Sequence, residues 1–372
     1  MVRKSLLLSL FLFIALSLTA AENPVVEMQL LSAISYTPNT SQWNEAMAPS
    51  LSLSISSERS GNVRGEVVLK TPNPMLFSTA SASDIYEEIL HKAYFKARFP
   101  SVRLTAGKTR LSWGDGMLFN AGDVLYGSND TSVTLTQSEL RSETGLLVSL
   151  NYPLGFFSFA EAVVLPSPDM QIEHMGGGAR LYTTVQETKV EAGYLTSYES
   201  ERLHKPYISL QGNIGPDWYL SSSLAIPQSG DIGEETLDSW VITGGLFHIQ
   251  YLENDKNVSL RLEFLTRPAG NWKLESQSDV DCPLLLYPEV VYTPSSSLSW
   301  SLRTIISPLD LSFNTTLGVN WAVLEGFSLL GFLSAPIGEK GDLFSWNNQV
   351  IHPTIGPIDE RISLTLGASW IF

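Results

Sequence analysis

Lys92, Lys96, Arg98 and Arg103 carry the first chemical signal in this sequence, because they fall on alternate positions of adjoining extended stretches. Between Ile89 and Phe99, residues Ala93, Phe95, Ala97 and Phe99 share one side while Lys92, Tyr94, Lys96 and Arg98 share the other, which is the period of a β-strand. Arg103 follows in the next stretch, Val102 to Thr109, with the same parity. Neither a dry protein interior nor a hydrocarbon face accepts such a row of cations. That side must therefore meet water enclosed by the molecule. Arg110, Arg141 and Arg180 extend the positive set, and the acids Asp115, Asp123, Asp130 and Glu139 lie close to it in sequence. A positive wall opposite an acidic segment would set a transverse field at a constriction, as rings of charge do in pores. The same residues as buried ion pairs would instead pack that segment against the wall and plug it. Both readings put them inside.

The segment from Gly107 to Asp130 breaks the alternation. It is rich in glycine and aromatic residues and carries both signs of charge. Connections of this length are usually functional or disordered, and the aromatic content argues for order. The pattern predicts a loop at about residues 110–130 that folds over or into the mouth of the enclosed space. Trp113 anchors it, Gly114 and Gly116 provide positive φ or close backbone approach, and Asn120 belongs to the same anchoring set. Catalysis finds no support. The 5 histidines are scattered without metal-ligand spacing, and Gly-x-Ser-x-Gly is absent. Asp115-Gly116 lacks the further acids of a calcium loop. Gly176-Gly177-Gly178 is followed by no Lys-Ser/Thr, so it is a strand entry and no phosphate cradle. No catalytic residue, metal or cofactor is expected.

The elements that must hold these residues are strands throughout. Alternating stretches recur from Val25 to the carboxy-terminus, separated by short turns such as Pro100-Ser101 and Gly215-Pro216-Asp217. Longer connections (71–86, 166–177, 227–237, 268–283 and 336–360) alternate with those turns. At roughly ten residues per strand the chain holds about 16–18 of them. The fold class expected is all-β, a transmembrane antiparallel barrel. No charge-free run beyond the amino-terminal segment exceeds the 17 residues of Met28 to Asn44 or Thr144 to Ala160, short of the roughly 20 apolar residues a spanning helix needs. Strands in a closed barrel need only about 9 to 11. Trp218, Tyr219, Trp300, Trp321 and Trp370 sit at strand ends, as interfacial girdles require.

The two ends of the chain agree with export. Arg3 and Lys4 precede an apolar run from Leu6 to Leu18 and the small residues Thr19-Ala20-Ala21, the pattern of a cleaved signal peptide over residues 1–21. One barrel then occupies 22–372. With Arg3 and Lys4 gone the formal charge moves from −15 to −17, which argues against nucleic acid as a partner. A single cysteine, Cys282, leaves no internal disulfide.

The last residues, Thr365-Leu366-Gly367-Ala368-Ser369-Trp370-Ile371-Phe372, resemble the insertion signal that ends bacterial outer-membrane barrels, with Thr365, Gly367, Trp370 and Phe372 carrying the likeness. Arg110, Trp113-Gly114-x-Gly116, Asn120 and Asp123, followed by Glu139-Leu140-Arg141, resemble a loop found in porin-like outer-membrane barrels, where proline usually stands at the position of Ala121. The likeness covers roughly Phe99 to Arg180. It implies a chain placed in the outer membrane of a diderm bacterium, in contact with its lipid, the barrel assembly machinery and periplasmic chaperones. It further implies passive diffusion of small hydrophilic solutes, or else a structural or ligand-binding barrel without conductance. Such barrels often form homo-oligomers, and no interface signature stands out here.

Overall fold

The computed structural model describes residues 25–37, 41–56, 62–71, 89–129, 141, 143–167, 171–229, 232–279, 281–345, 349–352, 356–359 and 362–372. The expected signal peptide at 1–21, Asp130 and Glu139 lie outside them. The alternating stretches form antiparallel strands: β1 (Val25–Thr37), β2 (Gln42–Ser56), β3 (Val63–Lys70), β4 (Leu90–Arg98), β5 (Arg103–Thr109), β6 (Gly145–Gly155), β7 (Ser158–Leu165), β8 (Gly176–Val185) and β9 (Thr188–Tyr198). They continue as β10 (Arg202–Asn213), β11 (Asp217–Ser223), β12 (Val241–Tyr251), β13 (Asn257–Thr266), β14 (Leu284–Ser295), β15 (Leu298–Ser307), β16 (Ser312–Leu324), β17 (Phe327–Ile337) and β18 (Ile362–Ile371). The two-residue strand Ile226–Pro227 pairs with β10 and prolongs β11.

Each strand pairs with the one before it, and β18 pairs with both β17 and β1, so the sheet closes on itself. Closure leaves no edge with unpaired backbone groups. Short turns lie at the end where Phe372 and Val26 exchange backbone hydrogen bonds of 2.8 and 3.3 Å. The long connections emerge at the opposite end.

Pairing fixes which side chains face inward. Leu147 and Ser149 of β6 are buried, while Leu146, Val148 and Leu150 stand 40–45% exposed on the outside. Thr105 pairs with Ser149 and with Lys96, and Arg103 pairs with Asn151 and with Arg98. Lys96, Arg98 and Arg103 therefore share the inner face with Ser149. The outer face carries Ile208, Leu220, Leu246, Leu262, Leu302, Leu317 and Leu364, all exposed. Contiguous apolar surface of that extent suits hydrocarbon and not water. Tyr152, Phe156, Tyr251, Trp300, Trp321 and Trp370 stand exposed near the turn end, the position of an aromatic girdle. Tyr219, expected in that girdle, turns inward instead, because its hydroxyl donates to the Phe119 carbonyl at 2.9 Å.

Candidate functional site

The segment after β5 enters the barrel and crosses it. A strandless chain carries unpaired N–H groups into a dry interior, and each needs an acceptor. The wall supplies them from isolated carboxylates. Glu263 of β13, fully buried, accepts the N–H of Met117 at 2.9 Å on one oxygen, and those of Leu118 and Phe119 at 2.9 and 3.0 Å on the other. Glu191 of β9 accepts Gly114 N–H at 2.9 Å, and Thr243 Oγ1 of β12 accepts Ala121 N–H at 2.9 Å. Proline at position 121 would lack that donor, which gives a physical reason for the alanine in this chain.

Arginines of the wall hold the carboxylates in turn. Arg180 of β8 reaches Glu161 at 2.8 Å and Glu191 at 3.1 Å. Arg261 reaches Glu263 at 3.2 Å and Glu289 at 3.3 Å, and Arg303 reaches Glu289 at 2.8 Å. A carboxylate held among several donors keeps its oxygens oriented toward them.

Trp113 is fully buried. Its Nε1 donates to Glu161 at 3.1 Å, its ring stacks on Tyr207 at 5.6 Å, and the Arg180 guanidinium lies over it at 5.6 Å. Leu147, Val163 and Leu195 complete that apolar contact. On the far side Leu118, Phe119 and Ala121 pack with Leu265, Leu285, Tyr287 and Ile305 of the wall. Cys282, Leu343 and Phe344, from two of the long connections, join the same cluster.

The local geometry of the loop depends on two glycines. Gly114 has φ +68°, and a Cβ there would stand 2.7 Å from the Gly122 Cα. Gly116 has φ +140°, and a Cβ there would stand 2.2 Å from the Phe119 carbonyl that Tyr219 binds. Asn120 closes the turn: its Nδ2 donates to the Trp113 carbonyl at 2.9 Å, and its Oδ1 accepts Gly122 N–H at 3.0 Å.

The charged residues singled out by sequence separate into two groups. Lys96, Arg98, Arg103 and Arg110 line one cavity of about 560 Å³ inside the barrel, together with Arg64, Asn151 and Glu161. Lys92 pairs with Val68 on the same inner face and is not part of that lining. Arg141 donates to the Leu118 carbonyl from Nε at 3.2 Å and Nη2 at 3.0 Å, a structural tie on the loop. Of the loop acids, the described Asp115 and Asp123 do not line the cavity. Asp123 is fully buried and binds Arg110 at 2.6 Å and the Ser128 hydroxyl at 2.6 Å. Burial pushes its carboxyl up, against the pull of Ser128 and Arg110. Asp115 is raised by burial and then by neighbouring Glu191, and it too stands outside the cavity lining.

Glu161, Glu191, Glu263 and Glu289, which hold or brace the loop, went unremarked in the sequence. Their signal was present: each is one acid at inward parity between outward apolar neighbours, as in Leu262-Glu263-Phe264 and Ala160-Glu161-Ala162. At the terminus, Trp370 and Phe372 stack at 5.1 Å on the outer face, and Leu364 and Leu366 share that parity, opposite to Thr365 and Gly367.

No protein-family model and no curated protein sequence matches the chain. Solved structures do resemble it. Acinetobacter baumannii OccAB4 superposes with a TM-score of 0.53 at 10% identity, covering 95% of this chain and 98% of that one. Pseudomonas aeruginosa OccK11 (OpdR) gives 0.55 at 9% identity, over 94% and 95%. A porin mutant from Rh. blastica gives 0.50 at 9%, over 94% and 99%. The chain has the porin barrel fold. At these identities the likeness is one of architecture alone.

A second tie stands at the loop end. Asp310, in the turn between β15 and β16, accepts Leu343 N–H at 2.9 Å, Gln277 N–H at 3.2 Å and the Ser312 hydroxyl at 2.9 Å. Burial opposes its charge, but the Leu343 N–H with the Ser307 and Ser312 donors outweighs burial and holds the carboxyl below its usual range. A depressed folded value means that the tie is complete above the ordinary aspartate range and is lost as pH falls through the folded value. Hydrogen-exchange protection of the Gln277 and Leu343 amides is expected to drop in that acid window and to be already low at neutral pH in Asp310→Asn. Equal protection in both proteins would remove Asp310 from this role.

Proposed function

We propose that the chain is an outer-membrane channel through which small hydrophilic solutes diffuse. The observation that carries this reading is the cavity of about 560 Å³ between the β3–β6 wall and the crossing loop, lined mostly by charged and polar residues inside an apolar outer belt. A closed barrel whose core were only structural would fill that space with packed side chains. The constriction is then formed by Lys96, Arg98, Arg103 and Arg110 on the wall with the Trp113–Asn129 stretch beside them, and diffusion is set by diameter and field. Passive conduction calls for no enzyme chemistry.

The apolar run after Arg3 and Lys4 and the alternation of the Thr365–Phe372 stretch support the rest of the assignment. Residues 1–21 are a signal peptide, the barrel is the whole of 22–372, and the Trp370–Phe372 terminus is read by the assembly machinery of a diderm bacterium, with periplasmic chaperones delivering the chain. One observation favours a second reading, a barrel without conductance: both apolar clusters of the loop, with the Leu343–Phe344 segment, fill much of the lumen on the β7–β15 side. Reconstitution in planar bilayers separates the two. Discrete current steps are expected, and their complete absence over repeated insertions would leave the closed barrel.

A further inference from the structure

The carboxylates and the cations of the lumen are distributed unequally. On the β7–β14 side every lumenal glutamate named above is bound by loop amides, arginines or both. On the β3–β5 side the cations Arg64, Lys96, Arg98 and Arg103 form no such pairs among the described residues, although Glu66 shares their face. Arg64 is the register partner of Lys96, and Arg98 is the register partner of Arg103. Like charges directly opposite across strands repel, and two such pairs occur side by side, since Lys96 and Arg98 share one strand face. Among the described residues no carboxylate forms an ion pair with any of the four. The acids nearest by register and lining are already engaged: Glu66 accepts the Tyr94 hydroxyl, and Glu161 accepts Trp113, Ser149 and Arg180. Arg110, the fifth cation of the cavity, is neutralised by Asp123 and Glu143.

We infer that Arg64, Lys96, Arg98 and Arg103 form an anion-binding site in the turn-end half of the lumen, and that the solutes it takes carry two or more carboxylate or phosphate groups. The spacing sets the number of charges. Three adjacent strands span about 10 Å, and Lys96 to Arg98 adds about 7 Å along the strand. A single monovalent ion cannot contact both repelling pairs, whereas a compact polyanion can. Thr105 and Asn151, on the same inner face and in the same cavity, add neutral hydrogen-bonding groups beside them. Arginine forks match carboxylate and phosphate oxygens in pairs. The site relieves like-charge repulsion that the fold itself leaves unpaired.

The site rests on the lumen being water-filled, as the channel reading requires, and the experiment keeps the two apart. The purified protein in detergent is titrated calorimetrically at low salt with inorganic pyrophosphate and, separately, with citrate, beside the variant Arg64→Gln, Lys96→Gln, Arg98→Gln, Arg103→Gln and the charge-keeping variant Arg64→Lys, Arg98→Lys, Arg103→Lys. Binding of either probe to the native protein, weakened about tenfold or more in the glutamine variant and largely kept in the lysine variant, supports the site. Pyrophosphate alone assigns phosphate-bearing solutes, and citrate alone assigns carboxylates. Native binding of neither, or equal binding by native and glutamine proteins, overturns it. Should the fourfold variant fail to fold, Arg98→Gln with Arg103→Gln carries the same comparison. A protein that binds a probe yet passes no current loses the channel and keeps the site. One that conducts potassium and chloride equally and binds neither probe keeps the channel and loses the site.

Discussion

Glu263→Ala is expected to release the crossing loop from the β13 wall and to enlarge the conducting path. Three backbone amides, those of Met117, Leu118 and Phe119, lose their acceptor at once, and the residues Leu118 and Phe119 are fully buried. Each orphaned buried donor costs on the order of 1–3 kcal/mol. Arg261 also loses one of its two carboxylates and keeps Glu289. Removing one partner of a buried charged cluster costs about 3–5 kcal/mol by itself. No local rearrangement offers three acceptors in the same place, so the economical response is for residues 117–119 to move toward water. Larger single-channel current and new protease cleavage between 111 and 129 are the expected readings. Glu263→Gln keeps one acceptor oxygen but turns an N–H₂ toward amides that themselves donate, so it should fall between alanine and native. A glutamine protein with native current and native protease resistance would show that the carboxylate geometry is not what holds the loop.

That latch also marks where sequence reasoning stopped. Strands, closure and the inward face of Lys96, Arg98 and Arg103 were legible because a period of two leaves a charged row only one place to go. The stretches Ile89 to Phe99 and Val102 to Thr109, read as strands, match β4 and β5 to within one residue. At the amino-terminal end β2 begins at Gln42, because β1 pairs with it as far as Thr37. The loop was legible as a loop and not as a contact set. Its acids were expected inside on either reading, and Asp123 meets Arg110 there as a buried ion pair. What decides the fold of such a loop is its backbone, whose unpaired N–H groups carry no side-chain signature. Asking which residues could accept those groups would have pointed to single acids such as Glu191 and Glu263 within apolar strands.

Trp113→Ala is expected to be comparably severe, by a different physical route. The indole is fully buried between Tyr207 and Arg180, and replacing a buried tryptophan by alanine costs about 3–5 kcal/mol from lost transfer and the cavity left behind. Glu161 keeps Ser149 and Arg180 as donors, so its charge stays compensated and the loss is mainly one of packing. Trp113→Phe, which retains a ring but no N–H, should therefore cost only about 1 kcal/mol beyond the volume change. The hollow opens beside the cavity that Arg110 and Leu111 line, so current should rise in Trp113→Ala and stay near native in Trp113→Phe. Combining Trp113→Ala with Glu263→Ala tests whether the loop acts as one body. If freeing either end frees the whole segment, the second substitution adds little, and the two losses of stability sum to more than the double variant shows. Full additivity would mean that the Trp113 end and the Phe119 end are held independently, with the Gly114–Gly122 turn serving only as a tether between them.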